Sequence, residues 1–263
     1  MKTAFIGGGA MGGAMINCLL AKKMAPAQDI VASDASPARR ELLSKEYGIA
    51  TVGDNAKAVA DADLIILAVK PQNLAQVMQD IKSPAPKQLV ISIVAGARLS
   101  SLREGLDHSL IVRAMPNMPA QIGEGMVVWT ATPETGQKQK KLAQAVLGSL
   151  GREIYVTDEK YLSMATALSG SGPGYVFLFI EALIDGGVHI GMPRDMAQKL
   201  VMQTILGSAL TIEKTGKHPA DLRNAVTSPA GTTTEGLFQL EKGGFRSSIL
   251  KAVTAAYKRA EHF

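Results

Sequence analysis

Thr3-Ala4-Phe5-Ile6-Gly7-Gly8-Gly9-Ala10-Met11-Gly12 is the stretch that decides the fold. A short apolar run ends in three glycines, and an apolar helical pattern, Met11 to Lys23, begins at once. Gly7, Gly9 and Gly12 stand at G-x-G-x-x-G spacing. That pattern is weak by itself, but here it links a strand to a helix, as a dinucleotide-binding turn must. Gly7 permits the tight turn, Gly9 lets the backbone approach a pyrophosphate, and Gly12 lets helix and strand pack closely. The helix start offers unpaired N–H groups and its positive dipole end to phosphates. Gly7, Gly8, Gly9, Ala10, Met11 and Gly12 are therefore candidate cofactor-binding residues.

Outward from this turn, apolar runs and amphipathic stretches alternate. Strands are expected at Ile30–Ser33, Leu64–Val69, Leu89–Val94 and Ile111–Ala114, with helices at Pro37–Tyr47, Asn73–Ile81 and Ser100–Leu106 between them. Near-continuous apolar strands alternating with helices imply a parallel sheet covered on both faces. Two more strands, Met126–Trp129 and Ile154–Val156, flank a helix over Pro133–Leu147. After about Thr157 the strand-like runs stop, and helices are expected at Pro173–His189, Pro193–Lys214, Thr234–Leu240 and Phe245–Glu261. The fold class is thus α/β followed by all-α: a Rossmann-type doubly wound sheet over residues 1–157, then a helical domain over residues 158–263. Apolar residues nearly encircle the helix from Pro173 (Val176, Phe177, Phe179, Ile180, Leu183, Ile184, Val188). A helix apolar all round needs more than one neighbour, which predicts a homodimer through the helical domain.

Composition narrows the function classes. Hydrophobic residues at 46% against 19% charged exclude a disordered chain. Aromatics at 5% are too few for a single-strand stacking platform, and the net charge of +5 forms no block, so no nucleic-acid partner is expected. The lone cysteine, Cys18, excludes an internal disulfide, and four scattered histidines show no metal-ligand spacing. The N-terminus enters a strand within three residues, and the apolar stretch Tyr175–Ile184 is short and broken by Glu181. A cytoplasmic protein with no membrane partner is the expectation.

In a doubly wound sheet, ligands lie at the carboxyl ends of the strands. Asp34 ends the second strand, where a carboxylate can bond a ribose 2′-hydroxyl. Ser33, Ser36, Arg39 and Arg40 crowd the same turn and could hold a 2′-phosphate. Ser36 before Pro37 also reads as a helix cap, so this turn alone leaves the coenzyme open. Ala68, Val69, Lys70 and Pro71, then Ala95 and Gly96, then Pro116 and Asn117 follow further strands and favour one shared crevice. In the helical half, Ser169-Gly170-Ser171-Gly172-Pro173 and Ser228-Pro229-Ala230-Gly231-Thr232-Thr233-Thr234 each precede a helix. Small residues and hydroxyls there either cap the helix or form a nest for a small carboxylate. Glu181 and Asp185, and His189 and His218 at helix ends, read as structural.

Taken with Arg113-Ala114-Met115-Pro116-Asn117 and Gly243-Gly244-Phe245-Arg246, these motifs make the whole chain resemble the pyrroline-5-carboxylate reductases. The resemblance implies transfer of a hydride from NADP(H), with NAD(H) as a second coenzyme, to the cyclic imine 1-pyrroline-5-carboxylate, giving L-proline. It implies a helical domain that binds substrate and dimerises, and higher assemblies of dimers. Ser228, Gly231, Thr232 and Thr233 would hold the substrate, with the Thr233 hydroxyl on the ring nitrogen as the catalytic contact. Asn55 would lie near the adenine ribose and Ser33 near a 2′-phosphate; no role is implied for the hydroxyl of Thr234. Three positions depart from the family's usual pattern: Met118 for Thr, Gly174 for Ala, and Ala230 for Gly.

Two alternatives remain open at the level of sequence. Another two-domain nicotinamide enzyme is the first, either a reductase of a different imine or a hydroxyacid dehydrogenase. The latter would carry a catalytic lysine in the helix from Pro173, which has none. A non-catalytic nucleotide sensor is the second, and it would not need the Ser228–Thr233 segment.

Overall fold

The computed structural model describes residues 1–262. In chain order the elements are β1 (Thr3–Ile6), α1 (Ala10–Ala21), β2 (Ile30–Ser33), α2 (Pro37–Tyr47), β3 (Ala50–Val52), α3 (Asn55–Val59), β4 (Leu64–Leu67), α4 (Leu74–Asp80), β5 (Leu89–Ser92), α5 (Leu99–Leu106), β6 (Ile111–Met115), β7 (Gly125–Ala131), α6 (Gln137–Gly148) and β8 (Gly151–Tyr155). Six helices follow without further strands among the described residues. They comprise α7 (Lys160–Ala165), α8 (Gly172–His189), α9 (Arg194–Thr215), α10 (Pro219–Ala225), α11 (Thr232–Lys242) and α12 (Phe245–Glu261).

The eight strands form one sheet in the order β3-β2-β1-β4-β5-β6-β7-β8. Its two-residue alternation is visible in the core. Phe5, Leu64 and Ile66 face one apolar cluster with Met15, Leu19 and Leu43. Ala4, Ile6, Ile65 and Leu67 face the other, with Val59, Leu102 and Leu106. Both faces are covered, as the apolar strands required.

The structure differs from the sequence reading in its helical half, where α7 and α10 were not expected, and in its sheet. A short edge strand, β3, and a short helix, α3, occupy the stretch between α2 and β4; β3 has three residues, none of them buried, and carries no apolar run. The sheet is also not parallel throughout, because β7 runs antiparallel to β6. The link from Met115 to Gly125 holds only a 3-10 turn, Met118–Ile122, and a parallel return needs a crossover of about a dozen residues or more.

Helix limits follow local chemistry. The Ser36 hydroxyl accepts the Arg39 N–H, Pro37 sits in the first turn, and Gly48 ends α2 in the left-handed region. The imidazole of His218 accepts the Ala220 N–H and so caps α10. Cys18 lies in α1, its thiol 3.5 Å from the Ala120 carbonyl, and burial pushes its pKa up.

The chain forms two compact units. The first comprises Met1–Ser171 together with the C-terminal turns from Ala256, and the second is Gly172–Ala255. Within the second, α8 packs on α9, and Gly187 leaves room for Ala197, whose methyl would lie 2.9 Å from any Cβ at that glycine. The rings of Phe179 and Phe245 meet at 5.8 Å. Phe177 and Leu178 remain 50% and 67% exposed, so one chain does not bury the apolar girdle of α8.

Candidate active site

β1 delivers its carboxyl end straight into the glycine turn. Gly7 has φ +98°, its N–H donates to the Ser33 carbonyl at 2.8 Å, and a Cβ there would come 2.7 Å from the Ala68 carbonyl oxygen. A Cβ at Gly12 would collide with the Gly7 carbonyl. The fold therefore requires both glycines. Gly9 is different. It caps α1 at φ −62° and ψ −169°, a conformation open to any residue, and nothing lies within 4 Å of the Cβ position. Packing gives no reason for glycine there, whereas a ligand approaching the backbone does. The first-turn N–H groups of α1, at Ala10, Met11 and Gly12, have no partner within the helix.

Around this turn the structure gathers the expected residues of β2 and α3. The Asp34 carboxylate accepts the Gly8 N–H and the Ser36 N–H, both at 2.9 Å. Buried Ser33 donates its hydroxyl to Asn55 Oδ1 at 2.7 Å, and Asn55 Nδ2 donates to Asp80 at 2.8 Å. Arg40 donates to the carbonyls of Asp34 and Ala35, at 2.6 and 3.2 Å. Asp80 was not among the expected site residues; it lies at the end of α4, and only the fold brings it to Asn55.

The remaining strand-end residues lie on the same sheet edge, since β2, β1, β4, β5 and β6 run parallel. Ala68 and Val69 occupy the space a Cβ at Gly7 would take, while Lys70 and Pro71 are exposed beyond β4. Ala95 and Gly96 follow β5, with Gly96 at φ +76°. Pro116 is buried after β6, and Asn117 donates to the Ser169 carbonyl at 3.0 Å while accepting the Met126 N–H at 2.8 Å. Thr166–Gly170 forms a π turn, closed by Ser171 N–H on the Thr166 carbonyl at 2.8 Å. The amide of Ser171 is thus occupied.

The second unit contains the other candidate nest. Gly231 caps α11 without help from a side chain, and the first-turn amides of Thr232, Thr233 and Thr234 have no intrahelical partner. A Cβ at Gly231 would collide with the Ser228 hydroxyl. Thr234 donates its hydroxyl to the Ser228 carbonyl at 2.6 Å. It therefore has a structural task that the sequence did not show. The Thr233 hydroxyl has no hydrogen bond among the described residues.

Ser228 to Gly231 is a turn closed by Gly231 N–H on the Ser228 carbonyl at 3.0 Å, and Ala230, its third residue, has φ +56°. That position favours glycine. A left-handed alanine costs about 1–2 kcal/mol, and the freer unfolded glycine offsets about 0.4–1 kcal/mol of any gain. Ala230→Gly is expected to raise stability by about 0.5–1 kcal/mol, read as a higher melting temperature.

Comparison with known proteins bears on both units. A curated pyrroline-5-carboxylate reductase from Synechocystis is 42% identical over 99% of this chain and 97% of its own length. The chain belongs to the pyrroline-5-carboxylate reductase family. A relative of the same name from Arabidopsis thaliana is 38% identical over 98% of this chain and 94% of its own. Residues 159–263 match the family model for pyrroline-5-carboxylate reductase dimerisation, and residues 2–96 match that for NADP oxidoreductase, coenzyme F420-dependent. Among solved structures, the pyrroline-5-carboxylate reductase from Coxiella burnetii superposes with a TM-score of 0.89 at 35% identity, over 99% of this chain and 97% of that one. The Plasmodium falciparum enzyme, solved with NADP bound, superposes with a TM-score of 0.91 at 32% identity, over 100% and 97%. The two-part architecture read from the sequence is thus that of the pyrroline-5-carboxylate reductases.

Proposed function

We infer that this protein reduces 1-pyrroline-5-carboxylate to L-proline with NADPH or NADH, the last step of proline biosynthesis. Full-length kinship with reductases of that name carries the reading. The glycine turn fits the coenzyme, because Gly9 leaves open the space a pyrophosphate would take. The coenzyme, when bound, supplies the hydride. The chain's own task is to orient the reactants. The amides of Ala10, Met11 and Gly12 hold the pyrophosphate at the positive end of α1. Asp34, Ser33 and Asn55 take the adenosine ribose, and Lys70, Ala95, Gly96, Pro116 and Asn117 line the sheet edge toward the nicotinamide. The amides around Gly231–Thr233, with Ser228, bind the substrate carboxylate, and the Thr233 hydroxyl orients the imine nitrogen. A pyrroline nitrogen is basic enough to take its proton from water near neutral pH, so no strong general acid is demanded. Loss of absorbance at the reduced nicotinamide band on adding pyrroline-5-carboxylate tests the reading; no loss with either coenzyme refutes it.

Both coenzymes serve, with NADPH preferred. Arg40 and the hydroxyls of Ser33 and Ser36 favour a 2′-phosphate, while the Asp34 carboxylate opposes it and keeps the preference shallow. Asp34→Ser is expected to raise the NADPH-to-NADH ratio of kcat/KM and, by freeing the Gly8 N–H, to weaken both coenzymes somewhat. A wild-type preference for NADH of tenfold, about 1.4 kcal/mol, would refute this assignment.

The exposed apolar side chains of α8 and α9, Phe177, Leu178, Leu200 and Leu206 among them, support a homodimer through the helical unit. Dimers assembling further, and a cytoplasmic location, complete the reading.

A further inference from the structure

Gly8 of the turn and Gly13 of α1 stand outside the three glycines of the G-x-G-x-x-G spacing. The structure gives both one task, the seating of α2. A Cβ at Gly8 would collide with Leu43, and a Cβ at Gly13 would come 2.8 Å from the Arg39 guanidinium. Through the lane so opened, Arg39 reaches the turn from outside. Its Nε donates to the Gly8 carbonyl and its Nη2 to the Gly9 carbonyl at 3.2 Å. The Gly9 carbonyl also accepts the first helical N–H of α1, from Gly13, at 2.8 Å. At the preceding peptide, Gly7–Gly8, the Asp34 carboxylate accepts the Gly8 N–H at 2.9 Å.

We propose that Arg39 is a positioning residue for the coenzyme: with Asp34 it clamps Gly8 and Gly9 in the shape that receives the pyrophosphate, and it serves NADPH and NADH equally. An arginine this close to the second-strand turn would otherwise be read as a 2′-phosphate ligand. Its donors instead engage the part of the site facing a group common to both coenzymes. Arg40, bonded to the carbonyls of Asp34 and Ala35, is left on the side where the two coenzymes differ.

The proposal rests on the assignment of the Gly7–Gly12 turn to the coenzyme, so its test includes Gly9→Val. NADPH and NADH are titrated calorimetrically into the full-length protein, with melting curves for every variant. Arg39→Gln is expected to weaken both coenzymes about tenfold, by the same factor within twofold, and to raise KM for coenzyme while kcat at saturation holds. Gly13→Ala keeps the arginine and favours the helix, yet its Cβ, 2.8 Å from Nη2, displaces one of the two donors and is expected to weaken both coenzymes by a common factor smaller than that of Arg39→Gln. The double variant should bind no worse than Arg39→Gln alone, because Gly13→Ala acts only through the arginine already removed. Weakening of NADPH alone, unchanged binding in both single variants, or multiplying losses in the double variant would each overturn the clamp. Gly9→Val binding like wild type would instead sink the coenzyme assignment of the turn. If Arg39→Gln does not fold, Gly13→Ala decides by the same criterion.

Discussion

Gly9→Val is expected to raise the dissociation constants of NADPH and NADH at least a hundredfold, about 2.7 kcal/mol or more, while the melting temperature stays within about 2–4 °C of wild type. The two halves of this result come from one observation. Gly9 has ordinary extended backbone angles and nothing within 4 Å of its Cβ position, so the valine Cβ meets no clash and adds no left-handed backbone strain. That empty space is where a pyrophosphate must come to reach the first-turn amides of α1, and branched methyls there hold it off. Gly7→Val and Gly12→Val would be poor tests, since both would collide with the backbone and unfold the turn. Calorimetric titration beside a melting curve separates lost binding from lost fold. Coenzyme affinity within threefold of wild type would move the pyrophosphate elsewhere.

Thr233→Val carries the second large effect. The substitution keeps shape and removes only a hydroxyl that no described residue engages. Loss of a hydrogen bond to a charged partner costs roughly 1.5–3 kcal/mol, so kcat/KM for pyrroline-5-carboxylate should fall about ten- to a hundredfold. Coenzyme affinity should hold. Thr234→Val is the matched control with the opposite signature. Its hydroxyl bonds the Ser228 carbonyl at 2.6 Å, so its loss should lower stability by about 0.5–1.5 kcal/mol. Its cost to kcat/KM, made through the loosened turn, should be much smaller than that of Thr233→Val. Equal kcat/KM for Thr233→Val and wild type would remove the assigned role.

Local chemistry made much of this legible in advance. The strand, turn and helix from Thr3 to Ala21 are neighbours in sequence, and so are Ser36-Pro37 and the helix they start. The helix Phe245–Glu261 was readable to its limits. What lay hidden depends on distance along the chain. Strand direction has no local signal, so the reversal at β7 emerged only from the short link before it. β3 lacks the apolar run that marks a strand, because an edge position buries little. The packing task of Gly8 and Gly13 emerges only once α2, some thirty residues on, is placed against them. The free hydroxyl of Thr233 and the engaged one of Thr234 are side by side in sequence, and only the turn from Ser228 tells them apart.

The first unit takes its final piece from the end of the chain: residues from Ala256 onward belong to it, with Gly172–Ala255 inserted between. On the ribosome this imposes a wait. At about 5–20 residues per second, synthesis of the intervening segment takes roughly 4–17 s. During that interval the sheet is complete but the cleft of about 270 Å³ that Arg98, Arg113, Glu159 and Ser163 share with Tyr257 and Glu261 lacks its C-terminal wall. Arg113 already has its ion pair with Glu159 at 2.7 Å, made within the nascent part. The unit's sheet is therefore made early and its cleft is walled late, and a chain stopped short of its last turns would leave the ribosome with that wall missing for good.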